Sequence, residues 1–309
     1  MELAEVCERA FGVAPADGGS GLVMAGGIDE AKDWGFCDTV FKSGRLLFPS
    51  VLKHNAAGQL AEVFAAAGDG GKARLYREQA RRLRKAIGKT FAREDGWLRS
   101  ATGVGNQPDV WGTAFAVWSE AVEGRTARKA ARALLGAYRD GSAVREGLVR
   151  HIPSNDRANN GLWQKSIAEA GTYQNGGYWG APAGWYIAAV ARTEAAVARA
   201  MAREYVGFLR RNLRPDGMSE AWEWVNSESG KRNNPLYVAT IALPYISLMQ
   251  AGLLILDGVP PLRGLDADWA ESGIFIAFLN SNLHTIARPL LAAKAEMLGL
   301  PVLVFRLPV

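Results

Sequence analysis

Residues 46–91 constrain this chain most. Two long amphipathic segments, Leu46–Ala67 and Lys72–Phe91, are parted only by Gly68-Asp69-Gly70-Gly71. Apolar residues recurring every three to four positions specify helix, and so short a Gly-rich break leaves the two helices antiparallel neighbours. The pattern repeats. Val110–Val122 and Ala127–Tyr138 flank Glu123-Gly124-Arg125-Thr126, while Gly180–Ala191 and Glu194–Leu213 form a third pair. Thr193 is the expected N-cap of the last of these. Leu236–Leu256 is a further apolar helix, and strand signals are few and short. Successive hairpins predict an all-α fold, either a solenoid or a toroid of helix pairs, and the lack of a fixed sequence period favours the toroid.

Charge and composition narrow the partners. Charged residues make up 22% of the chain and hydrophobic ones 49%, an ordinary balance for a packed core. The net charge is +5, but runs such as Arg81-Arg82-Leu83-Arg84-Lys85 alternate with apolar positions and read as a solvated helix face. No basic segment interleaves with aromatics, so no nucleic-acid partner is expected. Ile241–Leu256 contains Pro244 and Gln250 and falls short of the roughly 18 residues a spanning helix needs, so no membrane is expected either. The acidic start, Met-Glu-Leu-Ala-Glu-Val, has no basic n-region, which makes a cytoplasmic location the expectation. Cys7 and Cys37 are the only cysteines and are read as buried free thiols. His54, His151 and His284 are scattered without metal-ligand spacing, so neither a metal nor another cofactor is expected. His54 is read as a packed or surface histidine, and His151 lies near a polar loop where it could touch a substrate. Gly103-x-Gly105 follows no strand and is no dinucleotide fingerprint, and no Gly-x-Ser-x-Gly elbow is present.

The loops between hairpins are rich in Trp, Gly, Asn and acids. They include Asp33-Trp34-Gly35-Phe36-Cys37-Asp38, Gly103-Val104-Gly105-Asn106-Gln107-Pro108-Asp109-Val110-Trp111, Tyr173-Gln174-Asn175-Gly176-Gly177-Tyr178-Trp179 and Glu220-Ala221-Trp222-Glu223-Trp224-Val225-Asn226. Such residues gathered just before helices mark one rim of the assembly as a site. Sugar rings offer flat C–H faces ringed by hydroxyls, and suit aromatic platforms beside polar hydrogen-bonders. Trp34, Trp111, Trp179 and Trp224 are the platform candidates, although a Trp at a helix start is often core. Glycosidic cleavage needs one carboxylic acid and one carboxylate. The loops supply Asp33, Asp38, Asp109, Glu220 and Glu223. An Asp just before a helix is commonly an N-cap, a reading open for Asp38 and Asp109 alike. Glu223, between Trp222 and Trp224, is harder to explain as a cap.

Trp34-Gly35-Phe36-Cys37-Asp38-Thr39-Val40-Phe41-Lys42-Ser43-Gly44 resembles the general-acid loop of the six-hairpin glycosidases related to processing glucosidases and trehalases. Glu223-Trp224-Val225-Asn226-Ser227-Glu228-Ser229-Gly230 is similar to their closing Glu-x-x-Asn-Pro-x-Thr-Gly motif, which carries the general base. Asn175-Gly176-Gly177-Tyr178-Trp179-Gly180-Ala181-Pro182-Ala183-Gly184-Trp185-Tyr186 resembles the stretch before a barrel helix, and Gln107-Pro108-Asp109-Val110-Trp111-Gly112 stands in the place of another substrate-lining loop. The resemblance covers residues 33–250. It implies an (α/α)6 barrel that hydrolyses an O-glycosidic bond with inversion, Asp38 as general acid and Glu223 as general base, with Asp33 and Glu220 in reserve. It further implies a carbohydrate substrate lined by Asp33, Trp34, Lys42, Gln107, Asp109, Trp111, Asn175, Trp179, Trp185, Trp224 and Asn226. Two departures stand out: Ser227 replaces the motif's proline, and Lys42 stands one residue beyond the usual arginine.

A closed six-hairpin barrel needs twelve helices, whereas seven or eight are legible before residue 256. The expected organisation is therefore a barrel-like domain over 1–257 lacking N-terminal hairpins, and a C-terminal extension over 258–309 with a helical stretch at 266–298. A helix deficit leaves a second reading open, a carbohydrate-binding or scaffold protein without turnover. A third, a sugar epimerase, would need a histidine at the rim, and only His151 is suitably placed.

Overall fold

The computed structural model describes residues 2–25, 36–215, 217 and 220–253, together with the backbone of 275–279 and 302–306. The helices are α1 (Glu2–Phe11), α2 (Leu47–Ala66), α3 (Gly70–Phe91), α4 (Val110–Trp118), α5 (Gly124–Arg139), α6 (Ala183–Ala191), α7 (Ala195–Arg211) and α8 (Ala239–Gln250). From α2 onward they alternate between two layers. Helices α2, α4, α6 and α8 form an inner row in which each packs on the next, while α3, α5 and α7 each back the inner helix of their own hairpin.

The sequence carries this division. Inner helices α4 (VWGTAFAVW) and α6 (AGWYIAAVA) are apolar all round, and every residue but the last of each is buried. A helix without a polar face has to be enclosed by neighbours. The outer helix α5 instead buries a stripe, Ala130, Ala131, Leu134, Leu135 and Ala137, and α3 turns Arg81, Arg82 and Lys85 to solvent as its charge pattern predicts. Phe48 of α2, Phe115 of α4 and Trp185 of α6 join the row, with ring centroids 5.0 Å and 4.8 Å apart along the series. Close approach requires glycine at one point: a Cβ on Gly184 would lie 2.5 Å from the Pro244 Cα, so α6 and α8 meet backbone to backbone.

The all-α toroidal reading holds, with adjusted ends. Asp69 caps α3 by accepting from the Lys72 amide, and α4 stops at Ser119, whose hydroxyl donates back to the Phe115 carbonyl. Helix α6 starts after Pro182 rather than at Gly180. The expected Thr193 cap is not formed, because Glu194 is the boundary residue of α7 and caps it with no side-chain bond. Helix α8 continues through Pro244. Proline has no N–H for the carbonyl four residues back, and the buried Tyr205 hydroxyl donates to that Thr240 carbonyl instead.

Short strands supply the rim. A two-stranded ribbon joins β1 (Met24–Ala25) to β2 (Gly44–Arg45). A five-stranded antiparallel sheet runs in chain order: β3 (Val144–Arg145), β4 (Leu148–Arg150), β5 (Tyr178–Trp179), β6 (Trp224–Val225) and β7 (Arg232–Asn233). This sheet stitches together the loops between α5 and α6 and between α7 and α8, on the side where α4, α6 and α8 begin. In the expected C-terminal extension, β8 (Phe275–Leu279) pairs in parallel with β9 (Val302–Arg306). The helix expected over 266–298 is therefore wrong at Phe275–Leu279. A continuous apolar run fits a parallel strand as well as a buried helix. Cys7 is exposed, against its buried reading, while Cys37 is buried. No helix among the described residues is long and apolar enough to cross a membrane.

Candidate functional site

The strand register places Trp179 opposite Trp224 and Tyr178 opposite Val225, bringing the loop that ends at β5 against the one that opens β6. Glu223, immediately before β6, is held there by its backbone. Its amide donates to the carbonyls of Asn233 and Asn234, and its carboxylate accepts from the Asn234 side-chain amide at 2.5 Å. The first turn of α8 anchors the same strand, because the Thr240 hydroxyl donates to the Trp222 carbonyl at 2.9 Å. Glu223 is 8% exposed.

Asp38 arrives from a distant part of the chain and is exposed. No helix follows it, so it is not an N-cap. Gln174, wholly buried, pins its loop: the side-chain amide donates to the Phe36 carbonyl at 2.9 Å, and its oxygen accepts from the Asp38 amide and the Thr39 hydroxyl. The neighbouring Tyr173 completes the link, its hydroxyl donating to Asp38 Oδ2 at 3.3 Å. Burial raises the Tyr173 phenol well above its ordinary range. The charge of Glu223, then that of Asp38, then the hydrogen bond to Asp38 push it further. Tyr237 is raised too, by burial first and then by Glu223 and Asp38. Two phenols thus feel both carboxylates, and both stay protonated donors near neutral pH. Asp38 and Glu223 both act on Tyr173 and Tyr237.

Half-buried aromatics line this rim. Tyr173 meets Trp179 edge-on at 4.8 Å and Trp224 at 6.1 Å, and Tyr237 meets Trp179 at 6.3 Å. Among the described residues, four of the seven non-glycine residues with left-handed backbone, Tyr173, Ala221, Asn234 and Leu236, belong to these segments. Backbone of this kind clusters where function over-determines conformation.

The fold resembles part of a sialidase. Superposition on that solved structure gives a TM-score of 0.58 at 13% identity, covering 84% of this chain and 24% of the sialidase. The chain thus spans about a quarter of the length of the protein it matches, and at that identity the likeness concerns the fold alone. Two further solved structures overlap more loosely and bear no argument. They are an unsaturated glucuronyl hydrolase from Bacillus sp. GL1 (TM-score 0.40, 17% identity, 72% of this chain and 61% of that one) and the Lin0763 protein from Listeria innocua (TM-score 0.40, 11% identity, 68% and 57%). No family model matches the chain, and no curated protein matches it in sequence.

Several sequence candidates lie elsewhere. Asp109, fully buried, is the N-cap of α4: it accepts from the Gly112 amide at 2.7 Å and pairs with His151 Nε2 at 3.3 Å. Burial would raise its carboxyl, but the charge and hydrogen bond of His151, with Lys42 and the Gly112 amide, outweigh that and hold it below the usual carboxylate range. Trp111 is also fully buried, stacked on His151 at 3.9 Å. Trp179 and Trp185 are core residues, Trp179 forming the floor beneath Tyr173 and Tyr237. An indole beside a Gly-rich loop reads the same whether it faces core or solvent. Of the predicted platforms in the described residues, only Trp224 is half-exposed.

The remaining candidates hold loops rather than line a groove. Gln107 accepts from the Gln164 amide and donates to the Leu162 carbonyl, and Asn175 binds the Trp163 amide and the Ala168 carbonyl. Asn226 closes the turn after β6 by accepting from the amides of Glu228 and Ser229. Lys42 is buried, its ammonium 3.3 Å from Cys37 Sγ and over the Trp163 ring. Glu220 serves through its backbone, accepting from the Leu236 amide. His151, enclosed by Trp111, Trp163 and Cys37, is 1% exposed and cannot be the rim histidine an epimerase would use. His54 is packed, as one of its two readings had it. Asp33 and Trp34 lie outside the described residues. Sequence reasoning missed Tyr173, Gln174, Asn234 and Tyr237. The first two sat in the loop from which Asn175 was chosen, and the signal for them was the polar-aromatic run itself.

Proposed function

We propose that the chain is a carbohydrate-active hydrolase that cleaves an O-glycosidic bond with inversion, with Asp38 as general acid and Glu223 as general base. One observation carries the reading. Two carboxylates far apart in sequence face the same two phenols in an aromatic-lined rim. Such hydrolysis requires one carboxyl to protonate the leaving oxygen and another to activate water, with about 6.5–9.5 Å between them for inversion. Tyr173, Tyr237 and Trp224 give the sugar a flat apolar face, while Asn234 and the two acids supply polar partners. Likeness to part of a sialidase supports a glycosidase-type fold, and the helical hairpins agree with the family resemblance of the two motifs.

The test is a screen of aryl glycosides and disaccharides with the wild-type chain, Glu223→Gln and Asp38→Asn. Each substitution should lower turnover by about 10²-fold or more, the contribution of a general acid or base. The first-formed anomer, read by NMR, should be inverted. Turnover that survives Glu223→Gln sinks the assignment. The half-exposed Trp224 beside the half-buried Tyr173 and Tyr237 favours one other reading, a protein that binds sugar without cleaving it. That reading predicts saturable binding of an oligosaccharide, lost in Trp224→Ala, with no product from any substrate.

A further inference from the structure

Tyr173 stands at the centre of the site with a backbone φ of +44°, a conformation L side chains rarely adopt. Its backbone is fixed from three sides. The carbonyl accepts from Trp179 Nε1 at 2.9 Å and from the Gly177 amide, and the next residue, Gln174, ties down the Asp38 loop. A glycine would relieve the left-handed turn, so the side chain's direction is what the turn preserves. That direction brings the hydroxyl to Asp38 Oδ2 and the ring between the edges of Trp179 and Trp224.

We infer that Tyr173 is a positioning residue for the carboxylate pair: its hydroxyl engages Oδ2 of Asp38 and leaves Oδ1 to act on the substrate, while its ring sets the spacing to Glu223. The chemistry rests on the glycosidase reading, but the hydrogen bond and the shared electrostatic environment do not. The phenol donates rather than accepts, because burial and the two carboxylates disfavour its ionisation. The titratable groups facing it are Asp38, Glu223 and Tyr237. Packing alone would make the same ring contacts with phenylalanine. The inferred role needs the oxygen.

Two measurements separate these cases. In the first, tyrosinate absorbance is followed against pH for the wild type and Tyr173→Phe, and their difference isolates one phenol. It should titrate above the ordinary value of about 10, and should move down by about one pH unit or more in Asp38→Asn and again in Glu223→Gln, as removal of a neighbouring like charge requires. A transition unmoved by Asp38→Asn overturns the inference whether or not any substrate is known. In the second, Tyr173→Phe should lower kcat by about 10- to 100-fold on whichever glycoside is turned over, the cost of a slightly misplaced catalytic group, with KM within about threefold and the alkaline limb of the pH–rate profile, which reports the general acid Asp38, displaced. Combined with Asp38→Asn it should add no further loss, because Tyr173 acts through Asp38. Full additivity, or an unchanged pH profile, overturns the role. If the wild type cleaves nothing, the hydrolase reading fails while the titration still decides the position of Tyr173.

Discussion

Removing the Tyr205 hydroxyl tests how a proline is accommodated inside an inner helix. Pro244 cannot donate to the Thr240 carbonyl, and Tyr205, 2% exposed on α7, does so in its place. In Tyr205→Phe that carbonyl is left buried without this donor, at a cost of about 1–3 kcal/mol. The same change in a Pro244→Ala background has a different expected result. Alanine restores the N–H at 244, the helix closes its own bond, and the tyrosine becomes dispensable, so the cost should fall below about 0.5 kcal/mol. The coupling between the two positions should thus be about 1–2 kcal/mol, within the range found for residues sharing a network. Urea unfolding at neutral pH measures all four proteins, with an unchanged denaturant slope as the sign that only stability moved. Equal costs for Tyr205→Phe in both backgrounds, within about 0.3 kcal/mol, would refute the reasoning. The consequence reaches the site, because the same Thr240 holds the Trp222 carbonyl through its hydroxyl and so fixes the segment that carries Glu223 into β6.

Gly184→Ala should destabilise by about 1–3 kcal/mol through overpacking, since the new methyl would meet the Pro244 backbone at 2.5 Å; a lowered urea midpoint is the readout. Asp109 has a depressed folded-state pKa, so its stabilisation is present above the unfolded value of about 4 and is lost as pH falls through the lower folded value. Urea midpoints between pH 7 and 2 should therefore fall more steeply in the wild type than in Asp109→Asn over that acid window, and parallel curves would contradict the pairing with His151. Trp111→Ala and Trp224→Ala should part ways: the fully buried Trp111 costs about 3–5 kcal/mol of stability. Trp224→Ala leaves the unfolding free energy from urea titration within about 1 kcal/mol of the wild type but weakens oligosaccharide binding measured by calorimetry.

Local signals carried the fold further than the site. The three hairpins were legible because helical periodicity and Gly-rich breaks act over a few residues, and α4 and α6 announced their inner position by having no polar face. The site depends on which loops meet, and no local pattern encodes that. Asp38 and Asp109 show the difficulty. Both stand in Trp- and Gly-bearing loops, yet Asp109 caps α4 while no helix begins after Asp38, which turns to Tyr173. The tryptophans divide in the same way. Trp179 lies on the middle strand of the rim sheet, between Val149 and Trp224, and is covered, whereas Trp224 is left half-open. Tyr237 carried no signal at all, standing in a loop of Asn and Pro whose only distinction is to lead into α8.

The strands that present the site are two or three residues long, too short to be stable as a sheet by themselves. Side chains hold them in place. Arg145 on β3 donates to the carbonyls of Asn226 and Ser227 beyond β6 and lies over the Tyr178 ring of β5 at 4.3 Å, so one guanidinium clamps three segments. Gln174 does the same between the loops of Asp38 and Tyr173. Stability and site geometry are therefore set in different layers, the first by the inner helices and the second by a few polar clamps, one exposed (Arg145) and one buried (Gln174). That separation explains why Gln107, Asn175 and Asn226, chosen from the sequence as hydrogen-bonders, spend their side chains on the rim's own backbone. A rim built from minimal strands needs polar side chains to bind its own backbone, and those residues look, in sequence, like residues waiting for a sugar.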